Sequence, residues 1–242
     1  MGLGLDLWVV VALAAAVVLG AAVQGLVGLG VGLVAAPVTS LLAPDLMPGL
    51  LLWLAASMPV VTLLREHDAI DWRGIAWSMP ARLPGTVLGV VLVAAFAERQ
   101  LGLFVAVMVL VAVALTVRTI SVPVTRTALM TAGFVSGVTG TATSIGGPPM
   151  ALLYQHRDPR QVRCTLAVYF LLGAAMSLVG LAIEGELDVG ELVLAVILLP
   201  GLVLGFVVSR VLHRRVDPSH LRPGILFVCS IGAVVLLVRS LF

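Results

Sequence analysis

The chain contains no lysine: all 14 of its basic residues are arginine. Charge of either sign is scarce, because only 11% of the 242 residues are charged where soluble domains carry about 25%. That excludes an ordinary water-soluble core. A formal net charge of +2 is too small to point to a nucleic-acid partner. Cysteine is almost absent as well. Cys164 and Cys229 stand in apolar runs without CxxC or metal-ligand spacing, so they read as small hydrophobes, with no metal site and no call for a cofactor. The N-terminal stretch "MGLGLDLWVVVALAAAVVLG" lacks a basic n-region, and Asp6 stands where a cleaved signal would carry Arg or Lys. A retained membrane segment is expected.

What is present is apolar. Hydrophobic residues make up 61% of the chain and the mean hydropathy is +1.19. Apolar runs of about 20 residues recur along its length, the length that crosses a bilayer as a helix. The expected fold is an all-α polytopic membrane protein.

The chain repeats itself. "QGLVGLGVGLVAAP", Gln24 to Pro37, aligns without gaps on "SGVTGTATSIGGPP", Ser136 to Pro149, and "PGTVLG" from Pro84 matches "PGLVLG" from Pro200. Two matched blocks in the same order define two halves, 1–120 and 121–242. Each opens on a Gly-rich block (6–43 and 126–156) followed by three apolar spans: 46–64, 74–97 and 100–118, then 164–183, 189–212 and 221–241.

Arginine placement separates two arrangements of these repeats. If each Gly-rich block enters and returns on one side, the repeats are inverted. Arg65, Arg73, Arg118, Arg126, Arg157, Arg160, Arg163, Arg214, Arg215 and Arg222 then share one face, and only Arg99 and Arg239 lie on the other. If each block crosses, the same residues divide far more evenly. The expectation is therefore two inverted repeats, each a re-entrant, broken-helix hairpin plus three transmembrane helices. The basic loops are cytoplasmic, in a bacterial-type inner membrane.

Unwound backbone survives in hydrocarbon only where protein or a watery cavity covers it. The arms 127–138 and 148–155 are long enough to reach about halfway across the core and back. Two opposed Gly-rich tips then meet at the midplane, the arrangement of a secondary-transporter site. Pro37 and Pro148-Pro149 suit the first turn of a helix, whose free N–H groups would face the tips. Gly25, Gly28, Gly30, Gly32, Gly137, Gly140, Gly146 and Gly147 let backbone approach a ligand. Gln24, Ser136, Thr139, Thr141, Thr143 and Ser144 add side-chain donors. G-x-x-G spacing alone would equally serve helix packing. The hydroxyls and paired prolines, from Ser136 to Pro148, carry the ligand reading further.

Arg82 lies nine residues beyond Arg73 and so about 13 Å further along a helix, near mid-bilayer, where ionised side chains are costly and usually functional. Its guanidinium would supply charge and bidentate geometry to an oxyanion. Alternatively, Pro80 and Pro84 disrupt the helix and let it snorkel. An enzyme is not expected: no histidine and none of the 12 acidic residues falls within a span interior, and Ser136 has no base beside it. A channel, the competing class, would want a polar stripe that 46–64 and 164–183 do not offer.

"GLVGLGVGLVAAPVTSLLAP", "DWRGIAWSMPARLPGTVLG" and "GFVSGVTGTATSIGGPP" together resemble the sulfite exporter TauE/SafE family of membrane permeases, over about Ala22 to Arg239. The resemblance implies a permease for a small anion such as sulfite or an organosulfonate. It also shows a departure, since Ala142, Thr143 and Ser144 stand where several members have glycines. The lipid bilayer and the anion are the expected partners; a homodimer stays open.

Overall fold

The computed structural model describes residues 6–27, 31–117, 122–213 and 218–241. Among these there is no strand. Ten helices follow in order: α1 Leu7–Val27, α2 Val31–Leu42, α3 Gly49–Leu63, α4 Trp72–Ala95, α5 Glu98–Val117, α6 Arg126–Thr143, α7 Gly147–Tyr154, α8 Pro159–Glu184, α9 Val189–His213 and α10 Pro218–Leu241. Five of them, α1, α4, α5, α8 and α9, are long and apolar enough to cross a membrane. Their outer faces carry exposed Val87 and Val91 on α4 and Val203 and Val207 on α9, as helices facing hydrocarbon should. α3 spans 15 residues and is shorter than the apolar run 46–64, because its first turn waits for Pro48, which cannot extend a helix backwards with a donor of its own.

Local chemistry sets the helix ends. The Asp71 carboxylate accepts from the Gly74 N–H at 3.0 Å and starts α4. Asp158 does the same for α8, accepting from Arg160 and Gln161, and Thr125 accepts from Ala128 at the head of α6. α8 stops at Gly185, whose φ of +79° is available to glycine without strain.

The Gly-rich block of the second half differs from the expected short arms. α6 stays helical through Gly137 and Gly140 to Thr143 and breaks only over Ser144–Gly146. Its 18 residues rise about 27 Å, most of the ~30 Å hydrocarbon core rather than half of it. The Thr139 and Thr143 hydroxyls are satisfied on the carbonyls one turn back, Val135 and Thr139, which does not itself favour the helix; packing keeps it wound. The glycines form a packing face against α4: a Cβ at Gly137 would lie 2.5 Å from the Arg82 carbonyl oxygen and 2.8 Å from the Thr86 nitrogen, and one at Gly85 would strike the Phe134 carbonyl. Pro37 also departs from expectation. It stands inside α2 rather than in its first turn, since α2 already begins at Val31.

The halves are crossed in their packing. α6 of the second half packs on α4 of the first, and α1 of the first packs on α9 of the second. The α1–α9 seam is likewise built on small residues, with Gly205 against Val18 and Ala21 and Gly25 against Ser209. α3 packs on α8, and α5 on α10. Exchanging α1–α5 for α6–α10 carries every one of these pairs onto a pair in the same set.

Two ends of the bundle are distinct. At one, Arg163 pairs with Glu66 and Arg160 with Asp68, both at 2.8 Å. There the Tyr154 hydroxyl donates to Asp71 at 2.8 Å, and Arg126 lies 4.9 Å over the Trp77 ring. The head of α6 and the tail of α7 thus both lie beside the α3–α4 connection, so α6 and α7 form a hairpin. At the other end the Arg99 Nε donates to the Ser240 carbonyl at 2.7 Å and Arg239 donates to that of Leu41 at 3.2 Å.

Candidate functional site

Arg82 does not snorkel. It is 3% exposed, about 15 Å along α4 from Trp72, and among the described residues no carboxylate pairs with it. Its Nη1 donates to the Ser136 Oγ at 3.0 Å, and Ser136 in turn donates to the Gly146 carbonyl. Its guanidinium carbon lies 4.9 Å over the Tyr169 ring, a cation–π contact in a desolvated place. Two glycines make room. A methyl on Gly173 of α8 would fall 2.5 Å from both Nε and Nη2, and one on Gly140 would fall 3.0 Å from Nη2. The Nε, buried, has no hydrogen-bond partner. A guanidinium has five donors, and an unfilled buried donor costs about 1–3 kcal/mol.

Arg82 faces a cavity of about 80 Å³ lined by both Gly-rich blocks. Of the residues singled out from sequence, Gln24, Gly32, Arg82, Gly140, Ser144, Gly146, Gly147 and Pro148 line it. The start of α2 meets the break between α6 and α7 here: a Cβ on Gly32 would sit 2.8 Å from the Ser144 carbonyl oxygen and 3.2 Å from the Ile145 side chain. The start of α2 and the start of α7 therefore face the same space. The Gln24 Oε1 already accepts the Val31 N–H at 3.3 Å. α7 begins at Gly147, with Pro148 in its first turn. Two prolines in that turn leave only Gly147 and Met150 with N–H groups among its first four residues.

The remaining candidates lie elsewhere. Ser136 stands behind Arg82 and orients it. Gly137 is in the α4 seam. Thr141 shares a hydrogen bond with Ser177 at 2.8 Å, and Thr143 is taken up by Thr139 and the Ile145 N–H. Gly25 lines a second, larger cavity, and Pro37 lies inside α2 against Gly232. Gly28 and Gly30 fall outside the described residues. Ser144 is held in the left-handed region at φ +61°, unusual for a residue with a side chain, and its hydroxyl donates to the Pro48 carbonyl at 3.0 Å.

Sequence reasoning missed Tyr169 and Gly173, which build the Arg82 seat, and the apolar lining residues Leu52, Ala55, Phe170 and Ala174. A lone glycine in "YFLLGAAMS" was the only signal of the seat, and such a glycine has many explanations. Glu191 stands in the first turn of α9, yet it is 3% exposed, with its Oε2 unpartnered and packed on Gly49.

The arrangement is one cation, buried without a counter-charge among the described residues, beside two helix starts. It can hold a small anion with several acceptor oxygens. Among the described residues no group of His, Cys, Asp or Glu could hold a metal ion.

Comparison with known proteins agrees with this chemistry. The family model described as sulfite exporter TauE/SafE matches residues 12–236. A probable sulfite/organosulfonate exporter TauE of Cupriavidus necator is 28% identical over 215 residues, covering 82% of this chain and 82% of that protein. No solved structure matches the chain.

Proposed function

Since the chain belongs to the sulfite exporter TauE/SafE family of membrane transporters, and is therefore not an enzyme, we propose that it exports a small sulfur oxyanion, sulfite or an organosulfonate, held by Arg82 between the starts of α2 and α7. The observation that carries this reading is the buried guanidinium with an unfilled Nε at the edge of the cavity. An arriving oxyanion supplies the missing acceptor and the missing counter-charge together. The cavity's size suits a small ion better than a many-carbon metabolite.

Transport proceeds by alternating access between two inverted repeats, 1–120 and 121–242. The exchange of packing pairs between the halves supports that architecture, as does the return of the α6–α7 hairpin to the end it starts from. The basic end, with Arg65, Arg73, Arg126, Arg157, Arg160 and Arg163, faces the cytoplasm in a bacterial-type inner membrane. The second cavity lies on that side. On the other side the Ser144–Pro48 hydrogen bond and the Glu191–Gly49 contact join α6, α3 and α9. In this reading these contacts part when the site turns outward.

The test is a thermal-shift screen of the purified protein against sulfite, methanesulfonate, thiosulfate and sulfate, followed by flux in proteoliposomes. A ligand that binds only the native state raises the apparent melting temperature. Arg82→Ala should weaken that response. No shift with any of these anions refutes the reading, and unitary currents in a planar bilayer would replace the transporter with a channel.

A further inference from the structure

The Arg82 cavity adjoins a second one of about 480 Å³ at the basic end. The two share only Gln24 and Phe170 among their lining residues. Those two side chains, from α1 and α8, therefore form the neck between them. The larger space has two kinds of wall. Arg157, Arg163 and Thr62 give it a polar side, and Met58, Leu166 and Phe206 an apolar one. Such a space accepts an anionic head at its mouth and a carbon tail along its wall.

Gln24 is fixed, because its Oε1 accepts the Val31 N–H. Phe170 is the adjustable side of the neck. It is half-buried, and its ring meets that of Tyr169 edge-on at 5.9 Å. Tyr169 in turn carries the Arg82 guanidinium on its face. A displacement of Arg82 towards an anion thus reaches Phe170 through one intervening ring.

We propose that Phe170 is the size-determining residue of the transport path: an anion seated on Arg82 directs whatever it carries beyond its oxyanion head into the neck, and the Phe170 ring limits the length of that tail. The proposal rests on the Arg82 site described above. It makes the larger cavity the place where sulfonates with longer tails are admitted once the ring is reduced.

The test is flux of sulfite, methanesulfonate and propanesulfonate in proteoliposomes containing the wild type, Phe170→Ala, Phe170→Leu and Arg82→Ala. The propanesulfonate-to-sulfite ratio should rise about tenfold in Phe170→Ala, on the scale that a few methylenes are worth in an apolar pocket, and by less in Phe170→Leu. Phe170→Leu keeps an apolar side chain of substantial volume and carries the test if the alanine variant does not fold. An unchanged ratio in a folded Phe170 variant overturns the neck assignment while leaving the Arg82 site standing. Retained sulfite binding in Arg82→Ala overturns the Arg82 site instead.

Discussion

Replacing Arg82 by alanine separates a binding role from a structural one, because the two predict opposite changes. In the free protein the side chain makes one charge-assisted hydrogen bond, to Ser136, and one cation–π contact, to Tyr169. These contribute about 1.5–3 kcal/mol and about 2 kcal/mol. Against them stands the desolvation of a charge 97% removed from solvent, with no carboxylate paired to it among the described residues, which costs several kcal/mol. The balance is close to zero or unfavourable, so Arg82→Ala without ligand should melt at or above the wild-type temperature. With anion the result reverses. Losing even one charge-assisted bond of about 1.5–3 kcal/mol weakens binding roughly 10–100-fold at 1.4 kcal/mol per decade. The assay is differential scanning fluorimetry in detergent across a sulfite titration, checked by isothermal titration calorimetry. A variant that melts well below the wild type yet keeps its sulfite response would refute the reasoning, for Arg82 would then be a structural cation.

Gly173→Ala should produce the same loss of anion response without altering a cavity-lining residue, because its methyl meets the guanidinium within 2.5 Å; an unaltered titration would show that the Arg82 seat is loose. Gly137→Ala sets a methyl against two backbone atoms of α4 and should lower stability by about 1–3 kcal/mol, read as a fall in melting temperature. Glu191→Gln removes charge from a buried oxygen without a partner at constant shape, so its melting temperature should hold or rise near neutral pH; a marked fall would mean the carboxylate is needed charged. Single cysteines replacing Arg157 and Arg99 should label from opposite sides of sealed vesicles, 157 from the cytoplasmic one. The native Cys164 and Cys229 are buried and leave that experiment a quiet background. Labelling of both from one side refutes the arrangement.

α4, α8 and α9 are legible in the sequence as long apolar runs, and in the structure Asp71 heads α4 while Asp158 and Gly185 bound α8. The break before Pro148 is legible too, since glycine and proline act on backbone within a few residues. How far α6 continues towards it is not. Threonine and glycine have weak intrinsic helix preference, and what keeps them wound is the α4 seam, a contact with residues more than fifty positions earlier in the chain. Arg82 could be singled out by its depth, but its fate depended on Ser136, Tyr169 and Gly173, which reach it only after folding. The burial of Glu191 escaped for a related reason. A residue in the first turn of a span looks solvated until the neighbouring helix, here α3 at Gly49, is set against it.

The crossed seams bear on how the protein is made. α1 emerges early but packs on α9, which is translated only after seven further helices, and α4 must wait for α6. Domains of many proteins fold in the order of their synthesis; here neither half can complete its interior before the other is in the bilayer. The glycine faces of α1 and α4 therefore stand unpartnered during biogenesis, held only by lipid or by an insertion factor, and the last quarter of the chain acts as the clasp that closes the first.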